Sequence, residues 1–183
     1  MKIIETGISD LLVLEPSLFK DNRGYFFESY NCQKFESLGL NYRFVQDNES
    51  FSDYGTLRGL HLQKGDAAQA KLVRVIQGEV LDVAVDVRHK SPTFGKVFSI
   101  RLSAENKKML MIPRGFAHGF VVLSETAVFA YKCDNFYNAS AEGGIIYNDP
   151  TLNIDWGVKP EDMKLSPKDL VHKRFKETDW SQI

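Results

Sequence analysis

The middle of the chain alternates between apolar and polar positions. Residues 79–88 read Glu-Val-Leu-Asp-Val-Ala-Val-Asp-Val-Arg. In an extended chain, successive side chains point to opposite sides. Val83, Val85 and Val87 therefore fall on one face, and Asp82, Ala84 and Asp86 on the other. Residues 71–76 alternate in the same way and meet this segment across Gln77-Gly78, which predicts two strands joined by a tight turn. Further strands are predicted over 11–15, 25–30, 43–50, 57–63, 97–102, 108–112, 118–123 and 127–133. Thirteen glycines and six prolines punctuate them. Many short strands with frequent turns imply an all-β sandwich or barrel. Helix signals are few. One short helix is predicted from Asn31 to Leu38, stopped by Gly39. Another is predicted to start at Ser166, where Ser-Pro-Lys-Asp supplies a capping serine, a first-turn proline and an acid at the third helical position. Residues 135–183 carry Pro150, Pro160 and Pro167 and read as a loop-rich arm or cap. The chain 1–183 is thus expected to be a single domain, with Trp180 packing on its surface near the end.

Composition narrows the classes of function. With 183 residues, 43% hydrophobic and 26% charged, the chain can bury a real core and stay soluble. A formal net charge of -1 supplies no global basic field for nucleic acid, although local basic clusters can still bind an anionic small molecule. Cys32 and Cys133 are far apart and form neither a disulfide framework nor a CxxC metal signature; they are expected to be reduced thiols. The start, Met1-Lys2-Ile3-Ile4-Glu5, lacks the apolar run of a signal peptide. No stretch approaches the roughly 20 apolar residues of a membrane span. The expectation is a cytoplasmic protein with no nucleic-acid or membrane partner.

Candidate chemistry concentrates at a few positions. Within 57–63, Leu-Arg-Gly-Leu-His-Leu-Gln, strict alternation puts Arg58 with Leu60 and Leu62, and His61 with Gly59 and Gln63. A histidine on the polar face of a barrel strand can be a base, a metal ligand or a hydrogen-bonded core residue, and imidazole trades protons best near neutral pH. Lys71 shares parity with Val73 and Val75. An ammonium among valines is costly unless it meets an anion, or it can snorkel out at the strand end. Tyr131 shares parity with Phe129 and Ala127, as a core aromatic would. Segment 112–119, Ile-Pro-Arg-Gly-Phe-Ala-His-Gly, has the shape of the second cupin motif, ending in His118. The first motif of metal-dependent cupins has two histidines and a glutamate; here the corresponding positions offer His61, Gln63 and Gln69. Neutral amides are poor ligands for zinc or ferrous iron, so neither a metal nor another cofactor is expected.

Longer runs resemble one family throughout. They are Asp21-Asn22-Arg23-Gly24-Tyr25-Phe26-Phe27-Glu28, Gln46-Asp47-Asn48-Glu49-Ser50, Leu57 to Gln63, Lys71 to Val75, Gly78 to Asp86, Ser91 to Gly95, Leu102 to Lys107, Ile112 to Phe120 and Tyr131-Lys132. From about residue 10 to about residue 170 the chain is similar to the dTDP-4-dehydrorhamnose 3,5-epimerases. These are cupin enzymes that invert C3 and C5 of a dTDP-4-keto-6-deoxy sugar during rhamnose-nucleotide synthesis.

The resemblance implies a cupin double-stranded β-helix, or jelly roll, with a few short helices, and assigns roles by position. His61 is the base, and Asp169 orients it, although Asp169 also reads as a helix-capping acid. Tyr131 is the acid on the opposite face. Lys71 is our choice for holding the enolate oxygen. Arg23, Glu28, Gln46, Asp47, Asn48, Arg58, His118, Tyr137, Glu142 and Lys168 fall in the substrate site. Arg23 and Arg58 suit the diphosphate, Glu28 suits a base or ribose donor, and Tyr137 suits stacking on thymine; Glu142 could equally be a solvated loop acid. The implied assembly is a homodimer that exchanges N-terminal segments. Rival expectations are a mono-epimerase or ketoisomerase, a silent nucleotide-sugar-binding cupin, and a metal-dependent oxygenase, the last weakened by Gln63 and Gln69.

Overall fold

A computed structural model of the chain describes residues 1–181 and 183. In chain order the elements are β1 (Lys2–Glu5), β2 (Leu12–Glu15), β3 (Phe19–Asp21), β4 (Gly24–Phe26), α1 (Cys32–Ser37), β5 (Gln46–Asp53) and β6 (Leu57–Gln63). They continue with β7 (Lys71–Gln77), β8 (Glu79–Asp86), β9 (Val97–Ser103), β10 (Met109–Ile112), β11 (Phe116–Val122), β12 (Thr126–Cys133) and β13 (Glu142–Gly144). Two antiparallel sheets face one another. One runs β1-β2-β10-β7-β12-β5 and the other β13-β6-β11-β8-β9, while β3 and β4 make a hairpin outside both. This is the jelly-roll sandwich expected of a cupin.

Alternation explains the layers. Val73 and Val75 of β7, Val80 and Ala84 of β8, Phe116 and Phe120 of β11, and Ala127 and Phe129 of β12 meet between the sheets in the main core. The opposite faces are not left to water. Val83, Val85 and Val87 pack with Leu57, Leu60 and Leu62 against Ile145, Leu152, Trp156, Phe175 and Trp180. The C-terminal arm thus covers the outer face of the five-stranded sheet. Each such side chain contributes roughly 1.5–3 kcal/mol on full burial. Trp180 is only 6% exposed, and its indole N–H donates to the Phe175 carbonyl at 2.9 Å. That corrects the expectation of surface packing. The outer face of the larger sheet is covered by α1 and the segment after it, through Phe35, Leu40, Tyr42 and Phe44.

Covering β8 on both faces has a price in polar groups. Asp82 and Asp86 are fully buried, so each needs partners. Asp86 receives Arg88, Ser91 and Thr93, and Asp82 receives His118. Burial works against the Asp86 carboxylate, yet these donors hold its pKa below the ordinary value. The turn between β7 and β8 is Gly78, at φ +79°; a Cβ there would lie 2.1 Å from the Thr126 carbonyl oxygen.

Helix α1 forms where expected, with the Asn31 side chain accepting from the Lys34 N–H. The helix expected at Ser166 does not form; residues 167–170 make a turn. The Asp169 N–H does bond to Ser166, to its carbonyl at 3.0 Å and its hydroxyl at 3.3 Å. However, Leu170 and Val171 that follow are 51% and 78% exposed. With no apolar stripe to dock, one capped turn has nothing to extend it.

Candidate active site

The site lies at one mouth of the sandwich, in a cavity of about 620 Å³. Strand β6 brings Arg58 and His61, with Leu57 at the edge. Across β6 and β11, His61 pairs with His118 and Arg58 with Phe120. Three steps on β6 therefore match two on β11, which is a β-bulge. The extra residue inverts the alternation: Leu57, Leu60 and Leu62 all join the outer core, and Arg58 and His61 both face the cavity. Arg58 was expected on the opposite side from His61, and the bulge is why it is not. Gly59, at φ +127°, permits the close approach; a Cβ there would meet the Gly119 Cα at 2.5 Å.

The other walls are regular. Lys71 from β7 and Phe129 and Tyr131 from β12 point inward, as do His118 and Phe120 from β11 and Asn48 and Ser50 from β5. The turn carrying Lys164, Ser166, Lys168 and Asp169 closes the remaining side. Asp169 Oδ1 lies 2.5 Å from His61 Nε2, and its Oδ2 accepts from the Ser166 hydroxyl at 2.9 Å. The serine thus caps the turn and holds the carboxylate at once. Burial acts to raise the Asp169 carboxyl. The hydrogen bond and charge of His61, with Ser166 and His172, outweigh it and keep the group below its usual value. Because Nε2 faces the carboxylate, Nδ1 is the His61 nitrogen left to take a proton.

Lys71 sits deep in the sandwich, and no ion pair is formed by its ammonium among the described residues; its Nζ lies 5.8 Å from the centre of the Tyr131 ring. Burial pulls its pKa below that of an ordinary lysine. Burial also raises the Tyr131 phenol, so it stays protonated at neutral pH. The Cys133 thiol is pushed up to about 11 by burial, which makes it a poor nucleophile.

A second group of expected residues forms a linked rim. Gln46 donates to Asn48 at 2.9 Å and accepts from the Tyr137 backbone N–H. The Tyr137 hydroxyl donates to Glu142 at 2.9 Å, and Glu142 is ion-paired with Lys168. Desolvation opposes the Glu142 charge, but Lys168 and Tyr137 hold its pKa low. Glu142 is therefore not a loose loop acid. Gln63 and Gln69, which stand where metal-dependent cupins have ligands, instead tie down the 135–138 loop. Gln63 accepts from the Asn138 N–H, and Gln69 donates to the Asn135 carbonyl.

Three expected residues lie elsewhere. Arg23 is on the exposed β3–β4 hairpin, bound to Asp21. Glu28 pairs with Lys34 and Asn31 before and within α1. Asp47 points to the outer face of β5 and meets Lys132 at 2.9 Å. Sequence reasoning also missed residues. Ser50 was readable from its parity with Gln46 and Asn48. Asp82 was readable as an acid inside an apolar strand. Lys164 and His172 carried no pattern.

The comparisons with known proteins decide the family. The model of the dTDP-4-dehydrorhamnose 3,5-epimerase family matches residues 5–177. This chain belongs to that family. A dTDP-4-dehydrorhamnose 3,5-epimerase of Salmonella typhimurium is 58% identical over 157 residues, covering 85% of this chain and 86% of the relative. The crystal structure of the epimerase from Elizabethkingia anophelis matches with a TM-score of 0.94 at 59% identity, over 97% of this chain and 98% of that one. A Legionella pneumophila dTDP-6-deoxy-D-glucose-3,5-epimerase, solved in complex with dTDP-4-keto-L-rhamnose, matches with a TM-score of 0.94 at 49% identity, over 100% of this chain and 96% of that one.

Proposed function

We propose that this chain epimerises C3 and C5 of dTDP-4-keto-6-deoxy-D-glucose to give dTDP-4-keto-L-rhamnose, on the way to dTDP-L-rhamnose for cell-surface polysaccharide. The observation that carries the reading is one cavity holding a carboxylate-backed imidazole, an ammonium with no protein counter-ion among the described residues and a protonated phenol. The C3 and C5 hydrogens both flank the C4 ketone. Removing either leaves an enolate whose charge rests on O4, so the reaction needs a base, an acid on the other face and a cation at O4.

In this reading His61 takes each proton through Nδ1, while Asp169 fixes the tautomer and stabilises the imidazolium. Lys71 holds the enolate oxygen. A charge buried without a protein counter-ion gains most from an anion that forms only during the reaction. Tyr131 returns a proton from the other face. Arg58, with Ser52 behind it at 3.1 Å, takes the diphosphate together with Lys168. Tyr137 stacks on thymine, worth about 1–3 kcal/mol per base by analogy with single-strand binding. Asn48, Gln46, His118 and Glu142 order the sugar and nucleoside.

The working unit in this reading is a cytoplasmic homodimer. Phe19, Tyr25 and Phe26 on the β3–β4 hairpin are 65%, 56% and 65% exposed. Such aromatic exposure on a projecting ribbon supports docking against a second copy, which would bring Arg23 and Glu28 to that copy's cavity. No helix among the described residues is long and apolar enough to cross a membrane.

The test is solvent exchange. With dTDP-4-keto-6-deoxyglucose in D2O, NMR should show deuterium entering at both C3 and C5 with the L-sugar formed. Exchange at one carbon alone would reduce the activity to mono-epimerisation. Binding of the nucleotide sugar with exchange at neither would make the protein a silent binder.

A further inference from the structure

His172 has no part in this mechanism, yet it adjoins the two residues that matter most. Its ring packs edge-on against His61, with centroids 5.6 Å apart. Its Nε2 lies 3.9 Å from Asp169 Oδ1, wedged over Gly144, where a Cβ would approach it to 2.6 Å. This Nε2 is the one buried side-chain nitrogen or oxygen without a hydrogen-bond partner among the described residues. A buried nitrogen left unpaired asks for an explanation, and a place among the ligands of an ion is one of the ordinary ones.

We propose that His61, Asp169 and His172 form a site for a divalent transition-metal ion of the zinc type, and that filling it switches the enzyme off. The three ligand atoms lie within 4.8 Å of one another. Zinc bonds of about 2.0–2.1 Å set tetrahedral ligand atoms roughly 3.3 Å apart. The Asp169 oxygen is now 2.5 Å from one imidazole nitrogen and 3.9 Å from the other. It sits too near the first by about as much as it is too far from the second. A carboxylate shift of under about 1 Å toward His172 brings both of its own spacings to what the metal needs; the two imidazoles, within 4.8 Å of each other, must also draw together, by up to about 1.5 Å. Two imidazoles and one carboxylate are a donor set that zinc favours, with water in the fourth position. The neighbouring Lys168 ammonium is already neutralised by Glu142. This is a different place from the metal position of other cupins, where Gln63 and Gln69 are committed to the 135–138 loop.

The consequence for turnover follows from the tautomer and rests on His61 being the base. In the metal-free protein the His61 proton sits on Nε2, facing Asp169, and Nδ1 carries the lone pair. A metal on Nε2 displaces that proton, and the neutral ring keeps it on Nδ1 instead. The nitrogen that should accept a substrate proton is then occupied.

Cobalt(II) is the probe, because its visible absorption reports coordination without any reaction. Titrating the chelator-treated full-length protein should give one saturating equivalent with an imidazole-oxygen band. His172→Phe keeps a ring in the same space and removes the nitrogen; His172→Gln removes it by another route. Both should weaken cobalt binding by about tenfold or more, as loss of a metal-site group does. Zinc should stop deuterium entry at C3 and C5 in the parent, and each variant, referred to its own metal-free rate, should need about tenfold more. Absence of a cobalt band, or parental affinity in both variants, overturns the site. A cobalt band that depends on His172, with proton exchange undisturbed at saturation, overturns the inhibition and the assignment of His61 as base while leaving the metal site standing.

Discussion

Two histidine–aspartate pairs stand side by side in this molecule. His61 and His118 are direct partners across β6 and β11, and each meets a carboxylate within 2.9 Å. Their surroundings differ. In His118–Asp82 the two side chains are 8% and 0% exposed, and both come from regular strands. In His61–Asp169 the imidazole is 29% exposed, and the carboxylate arrives on a turn 108 residues later. The first pair neutralises a carboxylate buried between the two sheets. The second leaves one imidazole nitrogen facing a cavity where a substrate can sit. Both imidazoles line the same cavity, but His118 is almost fully covered while His61 is partly open, and in the proposed mechanism that access is what lets His61 move protons.

Several substitutions would break or sharpen that contrast. The largest effect belongs to His61→Asn, which should lower turnover on the order of 10²–10⁴-fold while nucleotide binding, read by calorimetry, changes little. Near-normal turnover would end the assignment of the base. Next is Asp82→Ala, which leaves His118 buried without its carboxylate. It should cost about 1–3 kcal/mol in urea unfolding, whereas Asp169→Ala should cost less stability and far more turnover. If the two variants ranked alike on both axes, the division between a pair that acts through burial and a pair that moves protons would collapse. Tyr131→Phe should bias deuterium entry toward one of the two carbons; equal, unchanged entry at C3 and C5 would remove it as the acid.

Asp86 extends the comparison to a carboxylate paired with arginine. Its folded pKa is depressed, so its stabilisation is fully present above the ordinary carboxyl value and is lost as pH falls through the folded one. Asp86→Asn should therefore lower stability at neutral pH and flatten its acid dependence, which melting curves taken from about pH 5 down to about pH 2 would show. The smallest effect belongs to Ser166→Ala. Losing one hydrogen bond to Asp169 costs about 0.5–1.5 kcal/mol, which should appear as a modest drop in kcat with KM nearly unchanged.

The strands that frame the cavity were legible because their alternation is strong. The 57–63 strand has the observed bounds, and 71–76 and 79–88 differ by a residue or two from β7 and β8. Helix α1 was legible from Asn31 and Gly39. The short strands β1, β3 and β13 carry too few residues for a period to register, and the 25–30 expectation shrinks to β4. Arg58 was misplaced because a bulge leaves no mark on alternation beyond a glycine. The Ser166 helix was expected from a genuine cap, but a cap without a buried face does not propagate. The resemblance placed His61, Lys71, Tyr131 and Asp169, and the fold gathers all four. It also named Arg23, Glu28 and Asp47, which one chain does not bring to its own cavity.

The late position of Asp169 sets an order of events during synthesis. Both sheets are complete once Gly144 has been made, and a nascent chain can begin to fold from its N-terminal side. His61 at that stage has no carboxylate behind it. The segment that supplies Asp169 is also the one that seats Phe175 and Trp180 on the outer face of the sheet. If His61 is the base, seating the C-terminal segment on the sheet and placing the carboxylate behind that base are one and the same event.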